Sequence, residues 1–142
     1  MAHSRQIVKL SHQGVLAALN AAVAEAEKIG IPQCIALVDE TGSPLATFRM
    51  DGAKFLSMRT ARRKAITSAS NRAPTGDMDG VKSLRLAVAT DSDFISLEGG
   101  LPIFISGHLV GAIGVGSGTG EQDLIVARAA IAAIDGASET AQ

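Results

Sequence analysis

Arg49 and Lys64 are the first residues in this chain whose type and spacing could do chemistry. Arg49 closes a short run that ends in Arg49–Met50–Asp51–Gly52–Ala53. Its planar guanidinium can grip a carboxylate through two parallel hydrogen bonds, or serve only as a surface charge. Asp51 is placed to cap the helix that follows. Lys64 lies on that helix within the stripe Ser57, Thr60, Lys64, Thr67 or Ser68, and Asn71, whose three- and four-residue steps put them on one face. The stripe reads either as a solvated basic face or as a pocket wall with Lys64 at its floor, suited to acid–base work. Arg59, Arg62, Arg63 and Arg72 fall elsewhere on or beyond the same helix. Were the helix to fold back over the preceding strands, Arg49 and Lys64 would face each other across one cleft. Two converging cations repel unless an anion sits between them, so that cleft is expected to bind a carboxylate.

The run Gly111–Ala–Ile–Gly114–Val–Gly116–Ser117–Gly118–Thr–Gly120 stands between a strand and a helix. It lacks the third glycine and the second parallel strand of a dinucleotide-binding turn, and no Gly-Lys-Ser/Thr exists for a phosphate loop. Two readings stay open: a turn that permits close backbone approach, or a ligand-contacting loop that includes Gly116 and Ser117. A hydrolase elbow at Ser117 is excluded because Val115 occupies the position that requires glycine. Glu98 and Asp123 are further acid–base candidates. His3, His12 and His108 show no metal-ligand spacing, and Cys34 has no cysteine neighbour, so no metal site is expected. His12, His108 or a methionine could still supply a single axial ligand to haem.

The elements that must position these residues are legible from periodicity. A helix is predicted from Ser11 to about Ile29, stopped by Gly30–Ile31–Pro32. Strands at Cys34–Asp39 and Pro44–Met50 read as a hairpin, followed by a helix over 53–70. The stretch 71–93 is irregular, with Asp77 as a possible cap of a short helix, and 94–97 reads as a short strand. Leu101–Ser106 and His108–Val115 form a second hairpin around Gly107–His108, and a final helix runs from Glu121 to about Asp135 before a frayed tail. Sequential hairpins predict an antiparallel sheet with helices packed on it, an α+β domain spanning 1–142 with its core at about 8–135.

Composition narrows the classes further. The chain has 142 residues, 46% of them hydrophobic and 19% charged, enough for one core and too little for two domains. Thirteen basic against 14 acidic residues give no general attraction to nucleic acid or anionic lipid. With four Phe, no Trp and no Tyr, a base-stacking platform is not expected. No apolar leader or membrane span is apparent, and the lone cysteine implies no oxidising compartment, so a cytoplasmic location is expected. An Ala-rich, aromatic-poor core buries little area per residue, which favours homo-oligomers.

Several segments in order carry a resemblance. They are IALVDETGSPLATFRMDGAKFLSMRTARRKA (35–65), Pro74–Thr75, GGLPI (99–103), GHLVGAIGVGSGTGEQD (107–123) and the Ala-rich last helix. Together they resemble the GlcG/HbpS family, the haem-degrading-domain-like group that includes the C-terminal part of PduO-type proteins. The resemblance implies a profilin-like sandwich, an antiparallel sheet flanked by helices, assembled into homo-oligomers. Some members bind haem, and others accompany small-molecule catabolism. Two functional classes follow. In the first, the chain binds haem or a similar carboxylate-bearing ligand, with Arg49 and Lys64 on the carboxylates and His12 or His108 as axial candidate. In the second, it is a cofactor-independent isomerase, hydratase or lyase on a carboxylate intermediate. There Arg49 would clamp the substrate, Lys64 or Asp51 would move protons, and Glu98 or Asp123 would act as second acid–base group. A structural or accessory oligomer is the third reading.

Overall fold

A computed structural model describes residues 1–142. The elements run α1 (His12–Ile29), β1 (Cys34–Asp39), β2 (Pro44–Arg49), α2 (Ser57–Asn71), α3 (Gly80–Ala89), β3 (Gly100–Ile105), β4 (His108–Gly116), α4 (Gly120–Ala132) and β5 (Ala137–Ser138). The five strands form one antiparallel sheet in the order β2-β1-β4-β3-β5. The fold is α+β, as the hairpin order predicted.

The sheet separates two cores. On one face Ile35, Leu37, Leu101, Ile103, Ile113 and Val115 meet Ala18, Ala22 and Ala26 of α1 and Val126, Ala127, Ala130 and Ile131 of α4. On the other, Cys34, Ala36, Val38 and Ala112 meet Ala61, Ala65 and Ala69 of α2. The alanines let the helices ride close to the strands. At Gly114 the approach is closest: a Cβ would run into the backbone of Ala61 and Ala65. That explains a glycine inside a strand, where it otherwise weakens the ladder.

The helix ends follow local chemistry. Ser11 Oγ accepts from Gly14 N, and Gly30 closes α1 in the left-handed conformation at φ 72°. Thr119 and Gln122 form a reciprocal capping box at the start of α4. Expectations differ from the structure in five places. Asp51 lies five residues before the α2 N-cap, Leu56, which has no side-chain cap bond, so the carboxylate does not cap this helix. The irregular stretch holds α3, capped by Asp79 rather than Asp77. Residues 94–97 form no strand; side chains take their backbone groups instead, with Ile95 N donating to Thr67 Oγ1 and Leu97 O accepting from Thr75 Oγ1. The second hairpin turns at Ser106–Gly107, both at positive φ, as a two-residue turn between right-twisted strands requires. The tail is not all frayed, since Ala137 and Ser138 pair with Ile105 and Phe104.

Candidate functional site

One row of the sheet organises the site. Cys34 pairs with Arg49 on one side and with Gly116 on the other, so these three residues share the face covered by α2. At Gly116 a Cβ would lie 3.1 Å from Ser57 O and 3.2 Å from Thr60 Oγ1, a tight fit against the first turn of α2. Ser117, at φ 90°, turns the chain there and accepts from Lys54 N at 2.9 Å. It thereby ties the glycine turn to the loop that leads into α2. Burial pushes the Cys34 thiol up, against the pull of Arg49, and its Sγ faces Lys54 O at 3.4 Å, so it is core rather than nucleophile.

Lys64 and Asp123 meet at the end of the sheet, although their helices pack on opposite faces. Lys64 Nζ donates to Asp123 Oδ2 at 3.0 Å and to Val115 O at 2.8 Å. The other carboxylate oxygen accepts from Gly118 N at 3.0 Å. With its amide nitrogen turned toward the two acceptors, Gln33 donates to Asp123 Oδ1 at 2.9 Å and to Gly116 O at 2.6 Å. Lys64 is 4% exposed and Asp123 2%. Burial pushes the Asp123 carboxyl above its ordinary value, opposed by the Lys64 charge and by its hydrogen bonds from Lys64, Gly118 and Gln33. Gly99, at φ 121°, passes directly over this pair, where a Cβ would meet Val115 O, Lys64 Nζ and Asp123 Cβ, while at Gly100 a Cβ would meet the Lys64 carbonyl and Thr75.

The expected convergence of Arg49 and Lys64 on one cleft is therefore not what the fold builds. Lys64 turns inward to Asp123, because a buried ammonium needs a partner charge. Arg49 is exposed and lines a separate cleft of about 420 Å³ with Thr47, Phe48, Met58, Arg59 and Arg62. A second depression beside it is walled by Arg59, Arg62, Arg63, Ile66 and the carboxylate-bearing Asp93. None of these arginines forms an ion pair within the chain. Glu98 is exposed and stands over Gly120 at the start of α4, where the helix dipole favours a carboxylate. Asp51 is exposed in the turn before α2.

The histidines lie elsewhere. His108 opens the nine-residue strand that Gly116 closes, so it sits about 26 Å along the strand from the Arg49 row. There it lines a cavity of about 300 Å³ with Arg5 and Arg72. His12 begins α1 and is exposed, three residues after Lys9, whose ammonium pairs with Glu40 at that same far end. Neither histidine can face a ligand held by Arg49 of the same chain. Sequence reasoning missed Gln33, Phe48 and Met58. Gln33 carries no local signal, since its partners lie more than eighty residues away. Phe48 directly precedes Arg49, and Met58 lies on the turn of α2 that carries Arg59 and Arg62.

The fold and site define a class: a small α/β/α sandwich with an internal ion pair and a surface of arginines that form no ion pair within the chain. The chain belongs to the HbpS-like family, described as haem degrading protein HbpS-like, whose profile matches residues 10–132. It is 38% identical over 109 residues to protein GlcG of Escherichia coli K12, covering 76% of this chain and 81% of that one. It is 31% identical over 133 residues to the corrinoid adenosyltransferase PduO of Citrobacter freundii, covering 90% of this chain and 40% of PduO. The chain thus spans about two fifths of the length of that relative. Among solved structures it is similar to a PduOC–haem complex, with a TM-score of 0.83, 29% identity, and coverage of 90% of this chain and 96% of that one. No helix is long and apolar enough to cross a membrane.

Proposed function

We propose that this chain is a homo-oligomeric, cytoplasmic small-molecule-binding protein whose ligand is haem or another carboxylate-bearing compound. The observation that carries the reading is the set of unpaired arginines around an apolar notch. Arg49, Arg59 and Arg62 line the cleft, and Phe48 and Met58 supply its apolar lining. Arginine forks suit carboxylates, and a ring and a thioether suit the edge of a macrocycle. Haem bound there would bring an iron centre that accepts axial ligands, and Met58 is the side chain of the cleft able to provide one. The PduOC–haem complex, which shares the fold, supports the choice of ligand class. The buried pair offers no free proton-transfer group, because Lys64 and Asp123 are engaged with each other and with backbone.

Titration of the purified protein with haemin, followed by absorption, tests the reading. A saturable Soret shift that weakens in an Arg49→Ala/Arg62→Ala double variant is expected. An unchanged spectrum, or a shift that survives intact in the double variant, would remove haem or this cleft respectively.

A further inference from the structure

The cavity at the far end of the sheet, about 300 Å³ in volume, is walled by four separate pieces of chain. Residues 5–8 pass along it, Glu40 and Thr41 come from the β1–β2 turn, Gly107 and His108 from the β3–β4 turn, and Arg72 from the end of α2. Its titratable lining is Arg5, Glu40, Arg72 and His108, with no other charged side chain among the residues that wall it. Arg5 and Arg72 form no ion pair within the chain. Arg72 stands in a left-handed conformation at φ 56°, where a helix end ordinarily carries glycine, and its guanidinium lies 5.5 Å from the centroid of the Phe104 ring. Stacking occupies the flat face of the guanidinium and leaves its N–H edge able to donate. Glu40 is the opposing charge. Its Oε1 accepts from Lys9 Nζ at 2.7 Å, and Lys9 also stands 3.7 Å from Asp39, whose carboxylate is held by Thr41 and Ser43. Glu40 Oε2 has no hydrogen-bond partner in the chain and is the one buried side-chain polar atom so placed.

We propose that this cavity binds a small organic acid that carries a hydrogen-bond donor next to its carboxylate. The carboxylate lies against Arg5, Arg72 and the His108 ring, and the donor, an amine or a hydroxyl, satisfies Glu40 Oε2. The cations and Glu40 share the cavity without pairing with each other, so a molecule set between them meets both. A buried carboxylate oxygen without a donor is costly, and a turn about the terminal torsion of Glu40, which is broad, swings that oxygen toward the cavity. A bare anion such as chloride would answer the arginines but leave Oε2 unmet and put like charge beside it; a bare cation would do the reverse. The volume falls at the lower end of the range for small-molecule sites. His108 and Gly116 are the two ends of one nine-residue strand, so this site is distinct from the Arg49 cleft and does not rest on the haem reading.

Titration of the isotope-labelled full chain with L-alanine, L-lactate and propionate, followed by amide NMR, tests the site. These acids share one carbon frame and differ in carrying an amine, a hydroxyl or neither. Alanine or lactate should shift the Thr41, Gly107 and His108 amides saturably and bind at least about fivefold tighter than propionate. Whichever of the two binds tighter names the donor. Glu40→Gln should abolish that preference while propionate still binds. Arg72→Gly, which suits the left-handed helix end, should weaken binding of every acid. Equal affinity for the three acids in the wild type, a preference that survives Glu40→Gln, or shifts confined to Phe48, Arg49 and Met58 would each overturn the proposal, as would no shift at all. Haemin titration of Arg72→Gly should match the wild type, and a parallel loss would merge this site with the arginine cleft and overturn it as a separate one.

Discussion

Lys64 on α2 and Asp123 on α4 form a buried ion pair of 3.0 Å across the end of the sheet that separates their helices. The pair clamps the two layers together where the strands run out. Asp123 also holds Gly118 N, and Gln33 holds Gly116 O, so the same network shapes the glycine turn beside the Arg49 row.

Removing one member of that pair should leave a charge buried without compensation. Lys64→Met or Asp123→Leu is expected to cost about 3–5 kcal/mol of stability. The double variant should lose less than either single, since no bare charge remains. Urea denaturation of the three variants measures this, and additive losses would show that the two side chains do not act as a pair.

Glycine at 114 is a packing requirement, while glycine at 116 is a matter of tight fit. A Cβ at Gly114 meets immovable helix backbone, whereas at Gly116 the nearest atoms stand at 3.1–3.3 Å. Gly114→Ala should therefore destabilise by about 1–3 kcal/mol or more, with Gly116→Ala clearly milder. Thermal melts of both variants decide it, and equal midpoints would mean that α2 can shift away freely.

Ligand binding should depend on the fork of Arg49 rather than on its charge alone. Arg49→Ala is expected to weaken binding of the carboxylate ligand by about 1.5–3 kcal/mol, the range for charge-assisted hydrogen bonds. Arg49→Lys should recover only part of that. Lys64→Met, in contrast, should alter stability far more than affinity. Calorimetry with haemin separates these outcomes.

Stability should fall at low pH in part through Asp39 in the first hairpin turn. Burial acts to raise its carboxyl, but hydrogen bonds from Thr41 and Ser43, with the nearby Lys9 charge, outweigh this and hold it below the usual carboxylate range. A carboxyl with a lowered folded pKa binds fewer protons folded than unfolded, so its contribution is full above the ordinary value and is lost as pH falls through the folded one. The stability difference between wild type and Asp39→Asn should accordingly be largest near neutral pH and shrink below about pH 4. Chemical denaturation across that range measures it, and a difference independent of pH would sever the link to Asp39.

The element pattern was written in the order of residues. Apolar runs of strand length, the three- and four-residue steps of the long helices, Ser11 before α1 and Gly30 after it all act locally, so periodicity and caps alone specify α+β with paired hairpins. The face of α2 was equally legible, because Ser57, Thr60, Lys64 and Thr67 follow helical spacing whatever lies opposite. Helix α3 was obscured because no core of its own chain selects one of its faces.

What lies opposite was decided only in three dimensions. Periodicity could put Lys64 on a polar stripe but could not say that a carboxylate 59 residues onward would meet it. That choice belongs to the desolvation of a buried ammonium, which is tolerable only where an anion and a carbonyl are already waiting. Once Lys64 is turned inward, Arg49 is left with Arg59 and Arg62 on the outer surface. The arginine cleft comes from β2 and α2 lying side by side in the fold, and no local run of residues encodes it.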